Sequence, residues 1–237
     1  MKERVLPDLD LARIVPLAPD QQHAALEKMS VGRPPYTYHP FRNRSLDILN
    51  ITAGPLADLP RTPWHTIAGD IRRMGTSADE IDANLRVGEG LYKFVSEHDI
   101  KGRRHEFPPL PLGMSEKVVY WSSAVIAIDG KPVAFFIDPR RDPKLTPLPR
   151  QFVFSVMHQR IRVLYPELAN ARLLILQFKN SPTGPRTVIP HFADDVELFS
   201  FEALDKMVRE TYAIWRKILF EREAKARRET GTPGGLL

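Results

Sequence analysis

The hydrophobic pattern of residues 118–179 constrains the fold more than any other feature of this sequence. It begins with two runs rich in β-branched and aromatic residues, and the Asp129-Gly130 pair between them is typical of a tight hairpin turn. Apolar residues at helical spacing follow, and then another strand-like run. Because the strands are apolar at nearly consecutive positions, both faces of the sheet should be covered. The pattern predicts strands over residues 118–128 and 131–137, a helix over residues 150–165 and a strand over residues 172–178.

The sequence before this stretch has the period of helices. Ser77 and Glu80 have the spacing of a capping box, and one apolar face continues from there to about Asp99. Glu89 lies in this helix between Gly88 and Gly90, where the missing side chains would let another element approach closely. Further helices are predicted at about residues 20–29, 45–51 and 63–74, and an edge strand at 187–192 and a helix at 201–222 follow the central stretch.

We therefore predict an α+β or α/β fold in which a helical N-terminal half packs on a mixed β-sheet core with flanking helices. The helical region covers residues 1–105, the α/β core covers residues 106–226, and residues 227–237 form a flexible tail. The helix over residues 150–165 is expected to bury one apolar face, formed by Val153, Val156, Met157, Ile161 and Leu164.

The composition limits the kinds of partner and chemistry. There are 34 Lys and Arg residues against 29 Asp and Glu, and the resulting net charge of +5 makes a polyanion such as DNA or RNA an easy partner. The lack of cysteine excludes disulfides, thiolate metal sites and a cysteine nucleophile. No apolar run approaches the length of a membrane span or a signal peptide, so we expect a soluble, cytoplasmic protein without a membrane partner. The sequence contains no Walker loop, dinucleotide fingerprint, GxSxG or HExxH motif.

Asp138 is the strongest candidate for chemistry, because it directly follows the apolar run of the second hairpin strand. A carboxylate at a strand end can hold a divalent cation, and nearby basic side chains can attract a phosphodiester. The alternative is that Asp138 caps the following turn or pairs with a neighbouring arginine. The basic side chains that follow it are Arg140, Arg141, Lys144 and Arg150.

The order of hairpin, helix and strand resembles the core of the PD-(D/E)XK, or restriction-endonuclease-like, nuclease superfamily. Asp138-Pro139-Arg140 occupies the position of the family's acidic-x-Lys motif, and Asp129 lies at the right distance upstream for the family's first aspartate. The resemblance implies an Mg²⁺-dependent nuclease that acts on DNA or RNA, with Asp138, Arg140 and Asp129 as catalytic residues. Its metal ligands would be Asp138, Asp129 and, as the helix-borne acid, Glu89.

Arginine at position 140 limits this interpretation, because arginine stays protonated and replaces a catalytic lysine poorly where a proton must be exchanged. An inactive member of the superfamily is therefore the alternative. Such a protein would keep the scaffold as a non-catalytic adaptor and would use the basic loop to bind a nucleic acid or a protein partner. In that case Mg²⁺ would not be required.

Other polar residues offer secondary sites. Gln177 and Lys179 form a Gln-x-Lys at the end of the next strand, although the intervening helix favours their interpretation as a polar strand end. His158 and Arg162 are four residues apart on one helix and could contact the same phosphate, or they could form an ordinary surface pair. Gln159 is similar to a glutamine on the corresponding helix of RecB-like nucleases. The residues predicted to bind a nucleic acid or partner are Arg141, Lys144, Arg150, His158, Gln159 and Arg162.

Overall fold

The computed structural model describes residues 5–29, 37–52, 60–113, 116–118, 124–141 and 144–229. The helices are α1 (Asp8–Ile14), α2 (Pro19–Glu27), α3 (His39–Ile48), α4 (Trp64–Met74), α5 (Ala78–Glu97), α6 (Pro147–Met157) and α7 (Phe201–Glu229). The strands are β1 (Ile51–Thr52), β2 (Lys101–Arg104), β3 (Leu110–Leu112), β4 (Glu116–Val118), β5 (Ala124–Ile128), β6 (Lys131–Ile137), β7 (Arg172–Lys179) and β8 (Thr187–Phe192). In the described part of the chain, no helix is long and apolar enough to cross a membrane.

A mixed six-stranded sheet forms the centre of the molecule, with the strand order β1-β2-β5-β6-β7-β8. Strand β6 runs parallel to β7 and β1 runs parallel to β2, whereas the other neighbours are antiparallel. Helix α6 connects β6 to β7, and this crossover places the ends of the two strands side by side. Strands β3 and β4 form a separate antiparallel pair.

Helices cover both faces of the sheet, so the molecule has three layers. Along β6, Val133, Phe135 and Ile137 pack with the residues of α3, α4 and α5, while Ala134 and Phe136 pack with those of α1, α2, α6 and α7. This is the two-residue alternation of a strand that is buried on both sides. The predicted α+β fold with a mixed sheet and flanking helices is confirmed.

The N-terminal half contributes more than helices. Strands β1 and β2 lie within residues 1–105, and they extend the sheet beyond β5. A Cβ atom on Gly102 would lie 2.9 Å from the carbonyl oxygen of Val125, so a glycine is needed where β2 passes β5. The charged sequence of β2 lacks the apolar alternation of a strand, which is why its pattern predicted only a connection.

The predicted strand over residues 118–128 is not one element. Its first residue belongs to β4 and its last five residues form β5, in different sheets. Residues 119–123 lie outside the described part of the chain. The predicted helix at 201–222 is longer than expected and continues to Glu229.

The helix predicted over residues 150–165 changes its geometry part-way along. Helix α6 ends at Met157, and residues 158–163 continue as a π-helical turn. A π-helical turn contains one residue more than an α-helical turn, which rotates every later side chain out of the original register. The expected burial of Leu164 is therefore wrong: its exposed fraction is 52%, whereas Ile161 is buried as predicted.

Candidate partner-binding site

The loop that follows β6, residues 138–146, is referred to below as the basic loop. Asp138 at its start is only 1% exposed. Its carboxylate accepts hydrogen bonds from the backbone N–H groups of Arg140 (3.2 Å) and Leu145 (3.4 Å) and from the side-chain amide of Gln177 (3.0 Å). A buried carboxylate needs such donors because it has lost its water. The arrangement is that of a carboxylate that closes a loop.

Gln177 connects the basic loop to the neighbouring strand. Its amide nitrogen also donates to the carbonyl oxygen of Leu145 (3.2 Å), and its amide oxygen accepts from the guanidinium of Arg150 (3.4 Å). The intervening helix seemed to separate Gln177 from Asp138 in the sequence. In the fold that helix is a crossover between parallel neighbours, and it brings the two residues together.

Arg186, which the sequence analysis did not identify, holds the other side of the basic loop. Its guanidinium is buried and donates to the carbonyl oxygens of Pro139 (2.7 Å) and Arg140 (3.1 Å) and to the side chain of Asn180 (2.9 Å). The described ends of the loop are therefore held by the carboxylate of Asp138, and Pro139 and Arg140 are held by the guanidinium of Arg186 as well.

Cationic side chains surround the basic loop, and few carboxylates form ion pairs with them. Arg140 forms two hydrogen bonds with Asp10 of α1, at 2.7 and 3.2 Å, and Arg13 lies 3.5 Å from the same carboxylate. Burial, together with the positive charge of Arg140, lowers the pKa of the Arg13 guanidinium. Arg141 is exposed and Lys144 is half-buried. One carboxylate thus serves two guanidinium groups at the edge of a basic surface.

The other predicted metal ligands are not grouped around Asp138. Asp129 occupies the hairpin turn with a φ of 51°, at the opposite end of β6 from Asp138. The seven residues of that strand span roughly 23 Å. Glu89 forms an ion pair with Lys93 at 3.0 Å and lines a shallow groove of about 270 Å³ together with Trp64 and Tyr92. Among the described residues, no group of three or more His, Cys, Asp or Glu could hold a metal ion.

His158, Gln159 and Arg162 lie on the π-helical turn, at the far end of the helical segment from Arg150. Burial and the charge of Arg162 lower the pKa of His158, so this imidazole is neutral at neutral pH. The Nε atom of Arg162 donates to the carbonyl oxygen of Ala171 at 2.6 Å. The structure thus separates these three residues from the basic loop.

The π-helical turn also exposes an apolar surface that the sequence analysis missed. Val163 is 55% exposed and Leu164 is 52% exposed. An aromatic cluster lies beside them, in which the ring of Tyr165 meets His105 at 5.1 Å and Phe107 at 5.4 Å between centroids. The other large hydrophobic side chains that are exposed in the described part of the chain are not consecutive: Val5, Leu148, Phe201 and Phe220.

The comparisons with known proteins show the family of this chain. A family model described as "Sliding clamp-binding bacterial toxin SocB" matches residues 9–225. The chain belongs to the SocB family. A relative described as "DNA replication inhibitor toxin SocB", from Caulobacter vibrioides (strain NA1000 / CB15N), is 38% identical over 234 residues, which cover 99% of this chain and 98% of that protein. No solved structure shows a significant match.

Membership of the SocB family overturns the resemblance to PD-(D/E)XK nucleases. The family is described by its binding to a sliding clamp, and no nuclease family is indicated. The interpretation of the chain as a metal-dependent nuclease is wrong. The prediction of bound Mg²⁺ rested on that interpretation alone and has no other support. The order of hairpin, helix and strand is shared by proteins of many functions, which is why it misled. The alternative, a non-catalytic binding protein, agrees better with the SocB family.

Proposed function

We propose that this protein binds a bacterial sliding clamp and inhibits DNA replication through that contact. The observation that carries the proposal is the similarity to SocB over almost the whole chain, since both the family model and the Caulobacter relative extend across all three layers of the fold. The similarity to that relative is therefore not confined to one segment of either chain.

The geometry of Asp138 supports binding over catalysis. Both of its carboxylate oxygens accept hydrogen bonds from loop and strand donors. Its 1% exposure leaves no open face for a substrate. This side chain therefore contributes to function by fixing the basic loop.

We place the clamp contact on the apolar surface of Val163 and Leu164. Two consecutive exposed aliphatic side chains beside an aromatic cluster form the kind of apolar centre that a protein interface buries. The π-helical turn directs Leu164 outward and replaces the regular α-helical hydrogen bonds there. Such turns occur often at functional sites. Tyr165, the residue that follows Leu164, is itself held by its edge contact with the ring of Phe107.

The proposal is tested with the purified full chain and the sliding clamp of the same bacterium. We expect saturable binding in biolayer interferometry with the chain immobilised. We also expect inhibition of clamp-dependent DNA synthesis on a primed template, relieved by added clamp. Failure to bind the clamp, or inhibition of a polymerase reaction that contains no clamp, would refute the proposed function.

A further inference from the structure

We propose that the basic loop and the neighbouring face of α1 form a binding site for the phosphate backbone of duplex DNA. The site consists of Arg141 and Lys144, which contact the phosphates directly, and of Arg13, Arg140 and Arg150 around them. It is distinct from the apolar surface of Val163 and Leu164. Only the choice of duplex DNA rests on the proposed function.

The first argument is the crowding of like charges. Arg13 and Arg140 both approach the Oδ1 atom of one carboxylate, that of Asp10, at 3.5 and 2.7 Å. The repulsion is strong enough to contribute to the lowered pKa of Arg13. Bringing guanidinium groups together costs free energy, and a bound anion recovers it.

The second argument is that few carboxylates lie near the loop, and that one of them is already bonded to backbone N–H groups. The sequence places Asp142 in the loop, and the structure adds Asp10 and Asp138. The carboxylate of Asp138 is buried and turned toward backbone N–H groups. The carboxylates are outnumbered by the basic residues of the site, Arg13, Arg140, Arg141, Lys144 and Arg150.

The other carboxylate of α1 interacts with guanidinium groups outside the site. The charge of Asp8 raises the pKa of Arg42 and of Arg160, against the larger lowering effect of burial.

The third argument concerns rigidity and access. Hydrogen bonds from Arg186 and to Asp138 hold the backbone at Pro139 and Arg140, directly before Arg141, and at Leu145, directly after Lys144. Arg141 and Lys144 form no hydrogen bond or ion pair with other described residues, and Arg141 is exposed. A preorganised cationic surface loses little conformational entropy when an anion binds.

Guanidinium groups match phosphate oxygens in a bidentate geometry, which favours phosphate as the ligand. A partner that slides on DNA brings duplex DNA close to any protein bound to it. The backbone of that duplex is a continuous row of phosphates, to which several cations can bind at once. The contact would be independent of base sequence, since contacts to phosphates carry no direct sequence information.

The test is fluorescence anisotropy with the full chain, without clamp, and a short labelled duplex of random sequence. The variant Arg141→Glu/Lys144→Glu should bind at least about 10-fold more weakly, and the slope of log affinity against log salt should fall by roughly 2. The control Lys131→Glu/Lys217→Glu changes the net charge equally at two exposed lysines, one of them at the opposite end of β6. It should change the affinity by less than about 2-fold.

Asp10→Asn is a second variant, and it is expected to change the DNA affinity in the opposite direction. Removing the shared carboxylate frees two guanidinium groups, so DNA affinity should rise by about 3-fold or more. A variant that only damaged the fold would lose affinity, and thermal melting checks that each variant is folded. Weaker DNA binding by folded Asp10→Asn would overturn the proposal.

Clamp binding measured on the same preparations separates the two proposals. If both charge variants weaken DNA binding equally, only net charge matters and the site is refuted. If reversal of Arg141 and Lys144 weakens clamp binding and leaves DNA affinity unchanged, the loop is a protein contact, and the DNA site is refuted while the proposed function stands. If the wild-type protein does not bind the clamp, the proposed function is refuted and the DNA site is not affected.

Discussion

The amide nitrogen of Gln177 lies 3.0 Å from a carboxylate oxygen of Asp138, and this hydrogen bond joins two residues that are 39 positions apart. It exists because β6 and β7 are parallel neighbours in the sheet, so that their carboxyl ends meet at one edge. The same edge of an α/β sheet often carries binding sites. In this protein the polar pair is buried and holds the basic loop in place.

We expect Asp138→Ala to destabilise the protein by about 3 kcal/mol, because buried donors on Arg140, Leu145 and Gln177 lose their acceptor. Urea unfolding followed by circular dichroism measures this change. Asp129→Asn is the control, since asparagine tolerates the positive φ of the hairpin turn, and it should change stability by less than about 0.5 kcal/mol. Equal stability of Asp138→Ala and wild type would show that the carboxylate does not support the loop.

Two helical glycines should respond in opposite directions to substitution by alanine. A Cβ atom on Gly90 would lie 1.8 Å from the carbonyl oxygen of Arg186, so Gly90→Ala must separate α5 from the β7–β8 connection. We expect destabilisation of more than about 2 kcal/mol. Gly69 in α4 has nothing within 4 Å of its Cβ position, and Gly69→Ala should stabilise by roughly 0.5–1 kcal/mol through helix propensity. Thermal melts of the two variants should therefore shift to opposite sides of the wild type.

The sequence predicted the close approach at Gly90, the hairpin and the strand parallel to it, because these depend on local patterns. The hairpin turn at Asp129-Gly130 and the burial of β6 and β7 appear in the structure. Of the capping box, Ser77 accepts from the backbone of Glu80 as predicted, whereas the Glu80 carboxylate accepts from Thr76 and Thr37. The capping box is recognisable from residue spacing alone, because it forms within a single helical turn.

The site was harder to predict because it depends on contacts between distant residues. Arg186 reaches the basic loop through the sheet topology, and nothing in its local sequence indicates this. The exposure of Leu164 follows from a π-helical turn that an α-helical period cannot represent. The order of elements suggested a nuclease, but the two residues predicted to bind one metal ion, Asp138 and Asp129, lie at opposite ends of one strand.

Glu80 should make stability depend on acidic pH. Its buried carboxylate accepts hydrogen bonds from the backbone and hydroxyl groups of Thr76 (2.8 and 2.7 Å) and of Thr37 (both 3.0 Å). These bonds, chiefly the backbone bond from Thr76, lower the pKa of Glu80 from 4.5 to about 2. A depressed carboxyl pKa stabilises the fold above the unfolded-state value of 4.5, and the contribution is lost as the pH falls toward 2.

The measurement is the free energy of unfolding from neutral pH downward, for wild type and Glu80→Gln. The wild type should lose stability between pH 4.5 and pH 2, while Glu80→Gln should be less stable at neutral pH and show a flatter profile in that window. Glu97→Gln, an exposed change on the same helix, should follow the wild-type profile. Parallel profiles for Glu80→Gln and wild type would exclude this carboxylate as the source of the pH dependence.

The clamp contact is tested by placing charge on the exposed apolar surface. Val163→Asp/Leu164→Asp should weaken clamp binding by at least about 10-fold, because an interface that buries these positions would have to desolvate two carboxylates. Both side chains are more than half exposed, so the fold should be retained. Phe220→Asp is the matched control: Phe220 is 69% exposed on α7, away from the π-helical turn in sequence, and its replacement should change clamp affinity by less than about 2-fold. The reverse ranking would move the docking surface to α7, and biolayer interferometry against one clamp preparation distinguishes the two results.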